Sequence, residues 1–178
     1  MKKTAKSTIL QLTIIGLLIA VGVIIPIAMP MFPPFRIVIP PASYTLGVHI
    51  PIFIAMFISP KAAVAVTIGT TVGFFLAGFP IPIVLRAASH IFFSLPGAIY
   101  LSKTNLTGIP LRIFSLVVAL VHGLTEALAV TFFFMGTAFP EGQGLLWILG
   151  FIGLGSVLHS LLDFELSNII RRPLRRWI

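Results

Sequence analysis

The sequence predicts an all-α integral membrane protein, a bundle of about six transmembrane helices, from its composition, its apolar runs and the placement of its charges. Hydrophobic residues make up 58% of the 178 residues and charged residues 9%, and the mean hydropathy is +1.13. Soluble domains are about half apolar and a quarter charged, and a chain of this length could not bury so much apolar surface without a bilayer. The absence of cysteine excludes disulfides, thiolate catalysis and cysteine-based zinc sites.

The first element is an apolar run from Ile9 to about Met29, which follows the basic segment MKKTAKS. At roughly 20 residues it is long enough to cross a ~30 Å hydrocarbon core and longer than the apolar part of a signal peptide. More apolar segments follow it, rather than a cleavage site and a polar sequence, so we predict a retained helix. The next stretch, PMFPPFRIVIPPASYTL, has five prolines from Pro30 to Pro41 and predicts a long non-helical loop.

The remaining spans are separated by turn-forming residues. The tripeptide SPK turns between the second and third spans, GFP ends the third, SKTNLTG follows the fourth, and TAFPEGQG forms a loop before the last. Residues 1–178 are therefore predicted to form a single transmembrane domain with spans at about 8–29, 46–59, 61–78, 82–101, 110–136 and 144–170.

The distribution of lysine and arginine predicts the orientation. With a cytoplasmic N-terminus, ten of the twelve basic residues fall on the cytoplasmic side, namely Lys2, Lys3, Lys6, Lys61, Lys103, Arg112, Arg171, Arg172, Arg175 and Arg176. Only Arg36 and Arg86 remain. An even number of spans places both termini inside and the proline-rich loop outside. The net charge of +8 then reflects topology and contact with anionic lipid rather than nucleic acid.

Two pairs of ionisable residues lie within predicted spans. Arg86 and His90 stand one helical turn apart in the fourth span, and His122 and Glu126 repeat this spacing in the fifth. Glu126 is ten residues from Gly136, which places it about 15 Å below the outer surface. Ionisable groups at such depth usually face protein or water and carry function.

These residues predict a polar pocket in the outer half of the bundle, closed by the loop at 30–45. Within that loop, Arg36 and Tyr44 are further candidates for contact with a ligand. Tyr44, like Trp147 at the outer end of the last span, could instead belong to the aromatic belt at the membrane interface.

Structural alternatives stay open for each of these residues. Arg86 could extend to a lipid headgroup, the histidines could join helices by hydrogen bonds, and Glu126 could form a structural salt bridge. Asp163 and Glu165 are predicted to neutralise the arginines at the inner end of the last span. His159, one turn before Asp163, could also be structural.

The sequence contains no motif that predicts catalysis. It has neither a P-loop nor an HExxH motif. Ser156 and His159 form only a local pair within GSVLHS, and a serine and a histidine without an oxyanion site are a weak sign of catalysis. We predict no enzymatic activity, no cofactor and no metal site.

Small residues on two spans predict close helix contacts. Gly16 and Ala20 lie four residues apart among large aliphatic residues of the first span, where they could admit a neighbouring helix of a partner or of the same bundle. Gly69, Gly73 and Gly78 form a second such strip on the third span, which could be intramolecular.

This arrangement resembles the substrate-binding S-components of energy-coupling factor (ECF) transporters. The resemblance covers nearly the whole chain and includes the stretches ASYTLGVHIPIFIAMFISPKAAVAV and VLRAASHIFFSLPGAIYL. It implies a high-affinity binder of a water-soluble vitamin in a bacterial cell membrane. It also implies docking, through small residues of the first helix, on a membrane scaffold subunit that two cytoplasmic ATPase subunits drive. The family usually has two alanines at the docking positions, where this chain has Gly16 and Ala20.

The resemblance gives the polar residues a role in ligand recognition. Arg86, with His90 beside it, would bind an acidic group, because guanidinium pairs with carboxylate through two parallel hydrogen bonds. That favours an acid such as pantothenate or niacin. Glu126 could instead accept from the ring of hydroxymethylpyrimidine or pyridoxine. A stand-alone carrier or channel, and a structural membrane protein with a buried ion pair, are the alternative functions.

Overall fold

The computed structural model describes residues 5–32, 35–39, 42–135 and 144–174. Its elements, in chain order, are α1 (Ala5–Ala28), a 3₁₀ turn (Met29–Met31), β1 (Arg36–Ile39), β2 (Ala42–Thr45), α2 (Ile50–Ile58), α3 (Pro60–Leu76), α4 (Ile81–Ser89), α5 (Ile91–Lys103), α6 (Gly108–Met135), α7 (Leu145–Trp147), a π-helix (Ile148–Leu154) and α8 (Gly155–Leu174). The predicted all-α fold is confirmed. The predicted loop TAFPEGQG, apart from its last residue, and the basic residues Lys2, Lys3, Arg175 and Arg176 lie outside the described residues.

Within the described residues, four helical segments are long and apolar enough to cross a membrane, namely Ile9–Ala28, Ile81–Lys103, Gly108–Met135 and Leu145–Pro173. The helix Pro60–Leu76 is apolar but shorter. Large apolar side chains cover the outside of the bundle, whereas the four histidines, Arg86, Arg171 and the carboxylates of Glu126 and Asp163 lie inside it. This inverted distribution is the one that a hydrocarbon solvent favours. The orientation of the bundle in the membrane stays a prediction.

The boundaries between helices follow from local capping. Ser59 ends α2 in an extended conformation, and its side chain accepts a hydrogen bond from the backbone of Ala62, so that it caps α3 with Pro60 in the first turn. Gly78 has a positive φ of 77° just after α3, and the Phe79 amide donates back to the Phe74 carbonyl at 3.1 Å. Helices commonly end in this way at glycine, because a Cβ disfavours a positive φ.

The predicted fourth span is two helices rather than one. The Ser89 hydroxyl donates to the Arg86 carbonyl, and the His90 amide donates instead to the carbonyl of Ala87, three residues back. Such competition from a serine side chain tightens and bends a helix. His90 consequently lies at the junction between α4 and α5. The last span is also irregular, because a π-helix interrupts it.

The proline-rich loop contains a β-hairpin that the sequence pattern did not predict. Strand β1 pairs with β2 in antiparallel register, from Arg36 opposite Thr45 to Ile39 opposite Ala42. As expected, residues 35–39 and 42–45 are not helical. The turn residues Pro40 and Pro41 lie outside the described part. The hairpin brings Arg36 and Tyr44 towards the bundle.

The glycine strip of α3 packs within the chain. A Cβ on Gly69 would meet the Ile19 side chain of α1 at 2.5 Å, and one on Gly73 would collide with Val23. These glycines therefore allow α1 to approach α3 closely. Gly16, by contrast, has no atom within 4 Å of an added Cβ, and Ala20 is exposed. The face of α1 that carries Gly16 and Ala20 is open.

Two apolar clusters enclose a polar layer. The larger is built from α2, α3, α5, α6 and α8 around Phe53, Phe93 and Phe164, and the smaller joins α6 to the π-helix through Val130 and Ile152. Helix α6 packs against α4, α8 and the π-helix. Because α6 has neighbours on several sides, its residues Ser115, His122 and Glu126 point into the bundle rather than towards lipid.

Candidate functional site

Glu126 of α6 is the centre of a buried polar cluster. Its Oε2 accepts from Arg86 Nη2 at 2.8 Å and from the Ser156 hydroxyl, and its Oε1 accepts from His90 Nε2 at 3.1 Å. His122, one turn earlier, has its Nε2 at 3.3 Å from the same Oε1. The structure thus brings together all four intramembrane residues that the sequence pattern selected, from α4, the α4–α5 junction and α6.

A second buried carboxylate lies in α8. Asp163 is 0% exposed and accepts from the Gly47 amide at 2.7 Å, from the His49 amide at 3.0 Å and from His49 Nδ1 at 3.0 Å. His159 Nε2 lies 3.3 Å from the same carboxylate and donates to the Thr45 carbonyl at 3.0 Å. Asp163 therefore joins the last helix to the end of the hairpin.

This finding corrects the predicted role of Asp163. The sequence pattern groups it with Glu165 as a partner of the terminal arginines, but only Glu165 lies on the exposed face of α8. Asp163 points in the opposite direction, because two residues along a helix rotate a side chain by about 200°. Within the described residues, its partners are backbone amides and imidazoles.

Tyr44 connects the hairpin to the π-helix. Its hydroxyl donates to the Phe151 carbonyl, and its ring packs edge-on against His159 with centroids 5.7 Å apart. The Arg86 guanidinium lies 5.7 Å from the centre of the Tyr44 ring. Burial raises the pKa of the Tyr44 phenol, more than the positive charge of Arg86 lowers it. Tyr44 therefore packs the hairpin against the π-helix, beside His159 and Arg86.

The polar cluster borders a cavity of about 50 Å³ under the hairpin. Charged and imidazole side chains dominate its polar lining, which comprises Arg36, Ser43, Thr45, His49, Arg86, His90, Glu126 and His159. A groove of about 460 Å³ between α5 and α6 is larger, but apolar side chains line it and it opens outwards. Lipid chains suit that groove, whereas the small cavity has the polar groups that a water-soluble ligand needs.

Several buried polar atoms around the cavity have no hydrogen-bond partner within the described residues. They are Nε of Arg36, Nε of Arg86 and Nδ1 of His90. Unpaired buried polar groups cost about 1–3 kcal/mol each. These atoms are available to hydrogen-bond a molecule in the cavity.

Sequence reasoning missed part of this site. His49, Ser156, His159 and Asp163 all contribute to it. The His159–Asp163 spacing of four residues was a visible signal, since it repeats the spacing of the two selected pairs. Nothing comparable marked His49, whose contacts come from other elements of the fold.

Comparison with known proteins gives one strong match. The niacin transporter NiaX of Lactococcus lactis subsp. cremoris (strain MG1363) is 36% identical to this chain over 172 residues, which cover 94% of this chain and 75% of the relative. No family model matches the sequence. No solved structure matches it.

Proposed function

The chain belongs to the S-components of ECF transporters, as the niacin transporter does, and from that membership we propose that it captures niacin outside the cell for import. It is a multi-pass protein of the bacterial cell membrane. In this proposal it acts as the binding subunit of an ABC-type importer, has no catalytic role of its own, and depends on separate ATPase subunits because its sequence lacks a P-loop.

The pair of guanidinium groups at the cavity carries the proposal for the ligand. Arg36 and Arg86 both line it, and each has an unpaired Nε within the described residues. Guanidinium groups bind carboxylates through charge-assisted hydrogen bonds. Nicotinate, the anionic form of niacin, combines a carboxylate with a single ring and is more compact than the extended chain of pantothenate, so a cavity of about 50 Å³ has to widen less to hold it.

The environment of Glu126 weakens the alternative of a basic ring ligand. Its two oxygens already accept from Arg86, His90 and Ser156. Little capacity remains for the amino group of hydroxymethylpyrimidine or the ring nitrogen of pyridoxine. We therefore place nicotinate above both, with Glu126 as the residue that orients Arg86 and His90.

Replacing Arg36 by methionine is expected to weaken nicotinate binding about 10- to 100-fold, the effect of losing one hydrogen bond to a charged group. The affinity for nicotinamide, which has no carboxylate, is expected to fall less than the affinity for nicotinate. The measurement is calorimetric titration of the purified protein with each compound. Arg112→Met, which removes an exposed arginine from α6, is the matched control. Equal losses for acid and amide would contradict the role assigned to Arg36.

We also propose that Gly16 and Ala20 form the docking surface for the membrane scaffold subunit. The supporting observation is their openness, since Gly16 has no neighbour within 4 Å of an added Cβ and Ala20 is exposed. Such a flat strip lets a helix of another protein approach closely. The other glycines of this region, Gly22 and Gly69, already pack within the chain.

Leucine at both Gly16 and Ala20 is expected to reduce uptake of labelled niacin at least 10-fold while leaving niacin binding by the purified protein unchanged. The bulky side chains would hold the partner helix away without disturbing this bundle. Co-purification with the scaffold and ATPase subunits should fall in parallel. Ala88→Leu, at an exposed position of α4, is the control. Normal uptake by the double variant would refute the docking surface.

A further inference from the structure

All four histidines of the chain meet in the interior, although they come from four different parts of the sequence. Three of them form a nearly equilateral triangle. The ring centres of His49 and His90 are 4.8 Å apart, those of His49 and His122 4.5 Å, and those of His90 and His122 4.8 Å. All three rings are buried and stand edge to face, with interplanar angles of 74°, 73° and 86°.

We propose that His49, His90 and His122 form a binding site for a divalent transition-metal ion of the Zn²⁺ class. Zinc binds imidazole nitrogen at about 2.0–2.1 Å. Adding about 1.1 Å from nitrogen to ring centre, imidazoles at tetrahedral angles around a zinc ion have ring centres about 5.1–5.2 Å apart. The observed edges of 4.5–4.8 Å are about 0.3–0.7 Å shorter, so the three rings already stand near the spacing that a shared ion would impose.

The ligand atoms themselves are already close. One ligand atom from each of His49, His90 and His122 can be chosen so that all three lie within 4.8 Å of one another. Ligands on a tetrahedral zinc stand about 3.3 Å apart, so these atoms must approach one another further when an ion binds.

Hydrogen bonds prepare two of the rings as ligands. His49 Nδ1 faces the Asp163 carboxylate at 3.0 Å and must donate to it, which leaves Nε2 with the lone pair. His90 Nε2 donates to Glu126, which leaves Nδ1 with the lone pair and without a partner within the described residues. A carboxylate behind a ligating histidine is the usual outer partner at zinc sites, where it fixes the tautomer and strengthens the ligand.

His122 supplies the independent sign that something is bound. It is 0% exposed, its Nδ1 has no hydrogen-bond partner within the described part of the chain, and its Nε2 lies 3.3 Å from Glu126 Oε1 without hydrogen-bond geometry. Such a ring is costly in the interior, and coordination of one nitrogen would offset the cost. Imidazole suits zinc, copper, nickel and cobalt rather than magnesium or calcium, which defines the class of ion.

The site borders the cavity under the hairpin, because His49 and His90 line both. Three protein ligands leave a coordination position open on a zinc-class ion. The additional step, which rests on the proposed function, is that a carboxylate or ring nitrogen of niacin occupies that position. The metal site itself depends only on the histidines.

The test begins with protein purified through a tag that contains no histidine and stripped of metal with a chelator. Titration with Co²⁺, followed by the visible absorption of the bound ion, is expected to show one saturable site from which one equivalent of Zn²⁺ displaces the cobalt. His122→Leu is expected to weaken Co²⁺ binding at least 100-fold, and so is His90→Gln. Glu165→Gln, which removes an exposed carboxylate, is expected to bind as the parent does.

Absence of saturable Co²⁺ binding by the folded parent protein would overturn the proposal, and so would unchanged binding in both histidine variants. Two substitutions are used so that a folding failure of either one leaves the other informative. Niacin titration of the stripped and the zinc-loaded protein then tests the additional step. Niacin binding that is equal in both forms would leave the metal site standing but exclude the ligand from its open position.

Discussion

Replacing Glu126 by leucine is expected to lower the free energy of unfolding by about 3–5 kcal/mol, the cost of leaving one partner of a buried ion pair uncompensated. Arg86 would keep its charge among buried side chains, at 6% exposure, after losing its 2.8 Å hydrogen bond. His90 and Ser156 would lose the same acceptor. Thermal unfolding of the detergent-solubilised protein, followed by tryptophan fluorescence, measures the effect.

The double variant Arg86→Met/Glu126→Leu separates stability from recognition. Replacing both members of a buried ion pair by apolar residues is often neutral or stabilising, so this variant is expected to recover most of the stability that Glu126→Leu loses. It should nevertheless bind nicotinate about 10- to 100-fold more weakly, because one guanidinium of the cavity is gone. Retained binding by the double variant would show instead that the ion pair is purely structural.

The second large effect is expected at Asp163. Asparagine there has one acceptor oxygen in place of two, and its amide group would face the donors at Gly47 and His49. We expect a loss of about 3 kcal/mol in the free energy of unfolding, from two or more buried donors without acceptors. Niacin affinity should fall as well, because the hairpin end and the His49 ring would lose their anchor.

Glu165→Gln provides the matched comparison for Asp163→Asn. Both substitutions neutralise one acid on α8 within two residues of each other, but Glu165 is exposed. Its substitution is expected to change stability by less than about 0.5 kcal/mol, as is usual on a surface. Similar melting temperatures for the two variants would contradict the anchoring role of Asp163.

The membrane fold and half of the site could be predicted from sequence because each depends on local spacing. Apolar runs long enough to cross a bilayer identify the spans, and an ionisable pair one turn apart identifies a polar helix face, as for Arg86 with His90 and for His122 with Glu126. Both signals are properties of a single segment, so they can be recognised without knowing how the segments pack.

The missed features depend on contacts between distant segments. His49 becomes part of the site only because Asp163, far along the chain, binds it. The hairpin at 36–45 lies among prolines, which mark irregular backbone, and its pairing register depends on the strands meeting. The π-helix likewise has no marker in a run of leucine, isoleucine and glycine.

The position of Asp163 in the last helix has a consequence for biogenesis. A ribosome releases α4 and α6 well before α8, so Arg86 and Glu126 can pair in the membrane while Asp163 has not yet been synthesised. The amides of Gly47 and His49 are synthesised much earlier and lack their Asp163 acceptor until α8 is made. The part of the site that Asp163 anchors is thus completed only after α8 has been synthesised.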